Sequence, residues 1–161
     1  MAVELIIFVG LQASGKSAFY RARFEATHEH VSKDLLRKNR NRRQEQLIAA
    51  TLRAGNPVVI DNTNPTVEER RPLIVLGREY GARIVGYYFA SEVRSCLKRN
   101  QQRTGKARVP DVALYATAKK LVRPSYSEGF DELYSVRIAG DFAFEALPYT
   151  DEAEAREGPG G

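Results

Sequence analysis

Cysteine is almost missing from this chain. Cys96 stands alone among 161 residues, so no internal disulfide can form. The fold has to rest on its core, and the expected setting is the reducing cytoplasm. Long apolar runs are missing too: none approaches the roughly 20 residues that cross a bilayer, so no membrane partner is expected. No basic leader precedes the first apolar run, which is therefore read as a core strand and not as a signal peptide. Histidine is scarce, and His28 and His30 have no metal-ligand spacing to other residues; both are read as structural or solvent-facing. The Asn-Lys-x-Asp pattern that reads guanine in GTPase switches is absent, which argues against a nucleotide-dependent switch. The aromatics fall mostly at apolar strand and helix positions, where they serve a core better than a base-stacking adaptor surface.

What is present fits one domain over residues 1–149, followed by an acidic, Gly- and Pro-rich tail over residues 150–161 that is expected to be disordered. The net charge is +5, but residues 151–161 alone carry −3, so the body carries +8. A basic body points to a polyanionic partner, either nucleic acid or a phosphorylated ligand. Solubility alone would produce the same charge.

Residues 10–17, Gly-Leu-Gln-Ala-Ser-Gly-Lys-Ser, satisfy the phosphate-cradling pattern G-x-x-x-x-G-K-[ST] at every fixed position. Ahead of it Leu5, Ile6, Ile7, Phe8 and Val9 form the unbroken run of a strand buried on both faces, and behind it Ala18, Phe19, Tyr20, Ala22 and Phe24 suit a helix. Strand, loop and helix in that order aim backbone N–H groups and the positive helix end at a phosphate chain. In this reading Gly10, Ser14 and Gly15 cradle the phosphates, Lys16 reaches the outer ones, and the Ser17 hydroxyl meets magnesium.

The rest alternates. Residues 28–31 read as a second strand, with a helix beginning at Ser32 or Asp34 and closed by Gly55-Asn56-Pro57. Residues 37–43 are basic and polar and face solvent, until Leu47, Ile48 and Leu52 restore helical spacing. Residues 58–61 read as a third buried strand ending in Asp61. Thr66-Val67-Glu68-Glu69 has the form of a capping box for a helix that runs to about Tyr80, with Pro72 kinking it or delaying its start. Residues 84–89 are a fourth strand. A helix follows from Ser91 toward Arg103, and another from Pro110, in which Val112, Tyr115, Ala118 and Val122 recur at helical intervals. Tyr134, Val136 and Ile138 alternate as in a half-exposed final strand. The pattern predicts a three-layer α/β fold with a mainly parallel sheet and ligands at the carboxyl ends of its strands.

Phosphoryl transfer also needs a group that takes the acceptor's proton, a magnesium-associated acid and positive charge on the moving phosphoryl. Asp34 is a candidate base, with Arg37 three positions on and hence on the same helix face; an Asp N-cap beside a solvated Arg is the alternative. Asp61, at the end of a buried strand, is a candidate for the magnesium acid; capping the turn of residues 62–65 is the alternative. Arg99 and Arg103 share one face of a helix and can fold over phosphates as a lid, or sit in surface ion pairs.

Several separated motifs resemble the polynucleotide 5′-hydroxyl kinases, the kinase module of phage and animal end-repair enzymes. Ser32-Lys33-Asp34-Leu35-Leu36-Arg37 resembles that family's acceptor motif, Asp61-Asn62-Thr63-Asn64-Pro65 its strand-end motif, and residues 97–103 with Val109-Pro110-Asp111-Val112 its lid. Ser127-Glu128-Gly129-Phe130 resembles the closing segment of animal-type members, so the likeness spans residues 4–138. The resemblance implies a P-loop kinase fold with a small helical lid, using ATP and Mg2+ to phosphorylate the 5′-OH ends of DNA or RNA. It implies that Asp34 is the base on the 5′-hydroxyl and that Arg37 binds the neighbouring 3′ phosphate. Lys16, Arg99 and Arg103 would act on the donor phosphates, and Asp61 with Asn62 would support the magnesium or acceptor site. With no phosphatase or ligase partner expected on this chain, the resemblance implies a stand-alone kinase or one subunit of a repair set with separate phosphatase or ligase partners. The alternative is a P-loop kinase of a small hydroxylated molecule such as a sugar, nucleoside or antibiotic.

Overall fold

The computed structural model describes residues 3–139 and 143–149. The expectation of a disordered tail over residues 150–161 lies outside that range. An apolar run such as residues 5–9 can be buried only if both faces of its strand are covered. β1 (Glu4–Val9) accordingly lies at the centre, parallel to β3 (Val58–Ile60) on one side and to β4 (Arg83–Phe89) on the other. β2 (Glu29–Val31) pairs parallel with β3, β5 (Glu132–Ala139) pairs parallel with β4, and β6 (Ala143–Pro148) runs antiparallel to β5. The order is β2-β3-β1-β4-β5-β6.

Alternation along β1 sorts the two faces. Leu5, Ile7 and Val9 pack with Ile48 and Leu52 of α2 (Arg40–Arg53) and with Leu73 and Ile74 of α3 (Val67–Glu79). Ile6 and Phe8 pack with Phe19 and Tyr20 of α1 (Lys16–Arg23) on the opposite face. Each fully buried aliphatic or aromatic side chain in these layers contributes on the order of 1.5–3 kcal/mol relative to exposure. α4 (Val93–Gln101) and α5 (Asp111–Lys120) meet over the phosphate loop through Leu11, Cys96 and Leu114. The result is the expected three-layer, mainly parallel α/β fold with a small helical lid.

Three local expectations are corrected. No α-helix begins at Ser32 or Asp34; a single 3-10 turn, Lys33–Leu35, gives way to extended backbone at Leu36, and α2 starts only at Arg40 after the left-handed Asn39. Asp34 and Arg37 therefore do not share a helix face. Helix α3 begins at Val67 and runs through Pro72, which does not delay it. The helix expected from Pro110 is present as α5, whose buried positions are Leu114 and Thr117 while Val112 and Tyr115 face solvent. β5 is not the final strand, because β6 covers its edge; Leu133, Ser135 and Val136 are all buried.

Candidate active site

The phosphate loop leaves β1 at Gly10, where the end of β4 presses so close that an added Cβ would lie 2.8 Å from Phe89 Cβ. Gly15 ends the loop with φ +97, a left-handed conformation that suits glycine, and serves as N-cap of α1. Gly10 N–H donates to Thr63 O at 3.0 Å, tying the loop to the chain that leaves β3. A backbone held this way, with no side chain at Gly10 and Gly15, fits a phosphate chain.

Lys16 is buried, and its Nζ donates to Leu11 O at 2.5 Å, Gly10 O at 3.2 Å and Ser14 Oγ at 3.4 Å. Burial lowers its pKa from 10.5 to about 8; the charge of Asp61 opposes that shift, while Arg103 adds to it. Burial makes that charge costly, and an anion beside the ammonium would offset the cost.

Asp61 follows the last residue of β3, and its carboxylate points at α1. Ser17 Oγ donates to Asp61 Oδ2 at 2.7 Å and His30 Nε2 lies 2.8 Å from the same oxygen. Burial pushes the Asp61 carboxyl up, but hydrogen bonds from His30 and Ser17 and the Lys16 charge outweigh it, and its pKa falls below the ordinary value. An ionised carboxylate beside a serine hydroxyl is the hard-oxygen donor set that Mg2+ accepts while keeping waters and phosphate oxygens as its other ligands. The residues present thus fit both ATP and Mg2+.

His30 is the site residue that sequence reasoning missed. Its ring stacks on Tyr20, with centroids 4.1 Å apart and planes at 16°, which fixes Nε2 toward Asp61. The pairing of His30 with Val59 in the β2–β3 ladder carries it to the end of the strand that bears Asp61.

Asn62 holds the neighbouring turn. Its Oδ1 accepts from Lys33 N at 2.8 Å and its Nδ2 donates to Gln44 Oε1 at 2.6 Å. Ser32, not Asp34, caps the 3-10 turn, accepting from Asp34 N at 3.3 Å. The Asp34 carboxylate is left projecting into solvent, 93% accessible, with Arg40 Nη2 at 3.4 Å. Arg37 is exposed beyond the turn and makes no hydrogen bond or ion pair among the described residues.

The lid comes from the other side. Arg99 Nε donates to Ala13 O at 2.6 Å, and Gln12 Nε2 donates to Thr117 Oγ1 at 2.9 Å, so both lid helices touch the phosphate loop. Arg103 lies past the end of α4, bonded through Nη1 to Ala107 O at 3.3 Å, near enough to Lys16 to depress its pKa. The buried Asn100 clips the returning chain in both directions, Nδ2 to Val109 O at 2.7 Å and Val109 N to Oδ1 at 3.0 Å.

Behind the site sits a buried ion pair. Arg70 donates to both carboxylate oxygens of Glu128, at 2.8 and 3.0 Å, and to Asn64 O at 2.8 Å, while Asn64 Nδ2 donates to Phe8 O. The pair ties β1, the loop carrying Asp61 and α3 together. Glu128→Ala strands a fully buried guanidinium and is expected to destabilise the protein by about 3–5 kcal/mol. The melting temperature should then fall by about 10 °C, whereas the apolar double variant Arg70→Met/Glu128→Leu should lose much less. Circular dichroism melts of the three proteins check this; a single variant within a degree of wild type contradicts it.

A parallel sheet whose central strand feeds this loop, with an acid at the end of the neighbouring strand and two lid helices on the loop, defines a P-loop kinase fold of the phosphotransferase class. The chain belongs to the AAA domain family, whose model matches residues 5–124. It is 28% identical over 137 residues to a bifunctional polynucleotide phosphatase/kinase of Schizosaccharomyces pombe, covering 83% of this chain and 33% of that protein. The chain spans about a third of the length of the curated relatives it matches. Among solved structures, a fungal RNA kinase superposes with a TM-score of 0.69 at 14% identity over 97% of this chain and 42% of that one. A gluconokinase of Sinorhizobium meliloti superposes with a TM-score of 0.62 at 21% identity over 86% of this chain and 85% of the other. The fold is common to kinases of both acceptor types and does not choose between them. No helix among the described residues is long and apolar enough to cross a membrane.

Proposed function

We propose that this chain is a cytoplasmic, ATP- and Mg2+-dependent kinase that phosphorylates the 5′-hydroxyl ends of DNA or RNA. The observation that carries the reading is the placement of Asp34. Its carboxylate stands in solvent on a turn that Asn62 pins beside Asp61, so a bulky acceptor reaches it without entering the protein. Around it Arg37, Lys38, Arg40, Arg42 and Arg43 are all exposed, a density of positive charge that suits a phosphodiester strand better than a neutral metabolite. The name of the Schizosaccharomyces pombe relative supports the same acceptor.

In this reading Asp34 takes the proton of the 5′-hydroxyl as its oxygen bonds to the γ-phosphorus, and the bond to the bridging oxygen breaks to release ADP. Arg37 holds the neighbouring 3′ phosphate. Lys16, Arg99 and Arg103 hold the donor phosphates and place positive charge where the transferred group passes. Ser17 with Asp61 would hold Mg2+, which when bound would add charge neutralisation on the phosphates. Phosphatase or ligase partners would complete an end-repair set.

Transfer of label from γ-labelled ATP to a 5′-hydroxyl oligonucleotide, at low and high salt, tests the assignment. Labelling that falls steeply with ionic strength is expected, with a log–log slope of about −0.7 for each strand phosphate contacted. Intact nucleotide binding without oligonucleotide labelling, together with labelling of a sugar, contradicts it in favour of a small-molecule kinase.

A further inference from the structure

A cleft of about 270 Å3 opens between the start of α3 and residues 122–128, just beyond the end of the lid helix α5. Arg71, Arg123, Ser125 and Ser127 line it, the two serine hydroxyls 2.9 Å apart, with Val67 and Val122 as apolar surface. We propose that it is a second subsite for the acceptor strand, taking a nucleotide a few positions inward from the reacting 5′ end. The inference rests on the acceptor class assigned above and adds to it a requirement for length.

Charge comes first. Glu128 also lines the cleft, but Arg70 neutralises it through two hydrogen bonds, and Glu69 on the first turn of α3 faces Lys120 at 4.0 Å. No acid among the described residues forms an ion pair with Arg71, including Glu68 one turn before it on α3. Arg71 is exposed and makes no hydrogen bond or ion pair among the described residues, whereas the Arg123 guanidinium lies 5.7 Å over the Tyr88 ring and is held in place. A cation held against a ring and an exposed one, beside hydroxyl groups, suit a phosphodiester with its sugar. Val122, 48% exposed, adds an apolar surface for a base or ribose.

Size comes next. Sites for small ligands run to about 300–1,000 Å3, so this cleft is at the low end of that range and has room for about one nucleotide unit. Its position agrees. Val122 N donates to Pro65 O at 2.7 Å, which fixes one wall to the loop that carries Asp61 and Asn62. Pro65 is three residues beyond Asn62, so their Cα atoms lie within about 11 Å. Phosphates along one strand advance about 3.4 Å per nucleotide of duplex axis, which places the cleft a few nucleotides from the acceptor turn.

The test is a series of 5′-hydroxyl acceptors: a nucleoside 3′-phosphate, a dinucleotide, a tetranucleotide and an octanucleotide, each assayed with wild type, Arg71→Ala and Arg71→Glu. For wild type, KM should fall as the strand grows long enough to enter the cleft. Arg71→Ala should raise KM for the octanucleotide on the order of five- to tenfold and reduce the salt slope by about 0.7, with Arg71→Glu more severe. Turnover, the KM for ATP and the KM for the nucleoside 3′-phosphate should not change. Equal KM changes for short and long acceptors, or none for either, overturn the subsite while leaving the kinase assignment in place. Failure of wild type to phosphorylate any member of the series overturns the assignment itself, and the subsite with it.

Discussion

Asp34→Ala is expected to lower turnover on a 5′-hydroxyl oligonucleotide about a hundred- to ten-thousand-fold, the usual range for a positioned general base. The melting temperature and the affinity for ATP should stay at wild-type values. That separation follows from how the turn is built. Its backbone is held by Ser32 Oγ, by Asn62 Oδ1 and by Arg40 Nε on Lys33 O, none of which involves the Asp34 carboxylate. The carboxylate meets only Arg40, at 3.4 Å and largely in water, where an ion pair adds little to stability. A structural role for Asp34 would lower the melting point; a catalytic one lowers kcat alone. Single-turnover transfer with saturating ATP, run beside a thermal melt, distinguishes them. Asp34→Asn, which keeps the shape and removes the base, should be as inactive as the alanine variant. Near-normal turnover in either variant contradicts the assignment of the base.

The parts of this site that were legible in the sequence are those whose chemistry is local. A phosphate loop is eight consecutive residues between a strand and a helix, and Asp61 declares itself by ending an apolar run. The parts that were not legible depend on partners remote in the chain. His30 looked idle until β2 paired with β3 and brought its ring to Asp61, thirty-one residues on. Gln44 and Asn62 meet across eighteen residues, and Arg70 and Glu128 across fifty-eight. No periodicity records such pairings. The missed start of α2 has a different cause: Ser32 is a good N-cap, but what it caps is a three-residue turn, and nothing local forbids the chain from extending at Leu36. On α5 the apolar spacing marks the helix but leaves open which of two stripes is buried. The lid buries the stripe with Leu114 and leaves Val112 and Tyr115 outside.

Lys16→Met is expected to lower turnover by at least about a thousandfold, since it removes the cation that the proposed function sets on the donor phosphates. Its second effect is on pH dependence and follows from burial. Unfolded, the lysine has its ordinary pKa of 10.5; folded, burial brings it to about 8. Between those values the unfolded chain binds more protons, so wild-type stability rises with pH across that window, and below it the folded state bears the full cost of a buried ammonium, roughly 3 kcal/mol. Chemical denaturation from pH 7 to 10.5 should show this rise in wild type and not in Lys16→Met. Nucleotide binding should run the opposite way. A polyphosphate restores the ammonium, so wild-type binding takes up a proton above pH 8, and affinity for ATP falls there by up to about tenfold per pH unit. Titrations of Lys16→Met should show weak binding without that slope. Wild-type affinity that is flat from pH 7 to 10 would mean that Lys16 keeps its charge in the free protein, and that its contacts with Gly10 and Leu11 carbonyls outweigh burial.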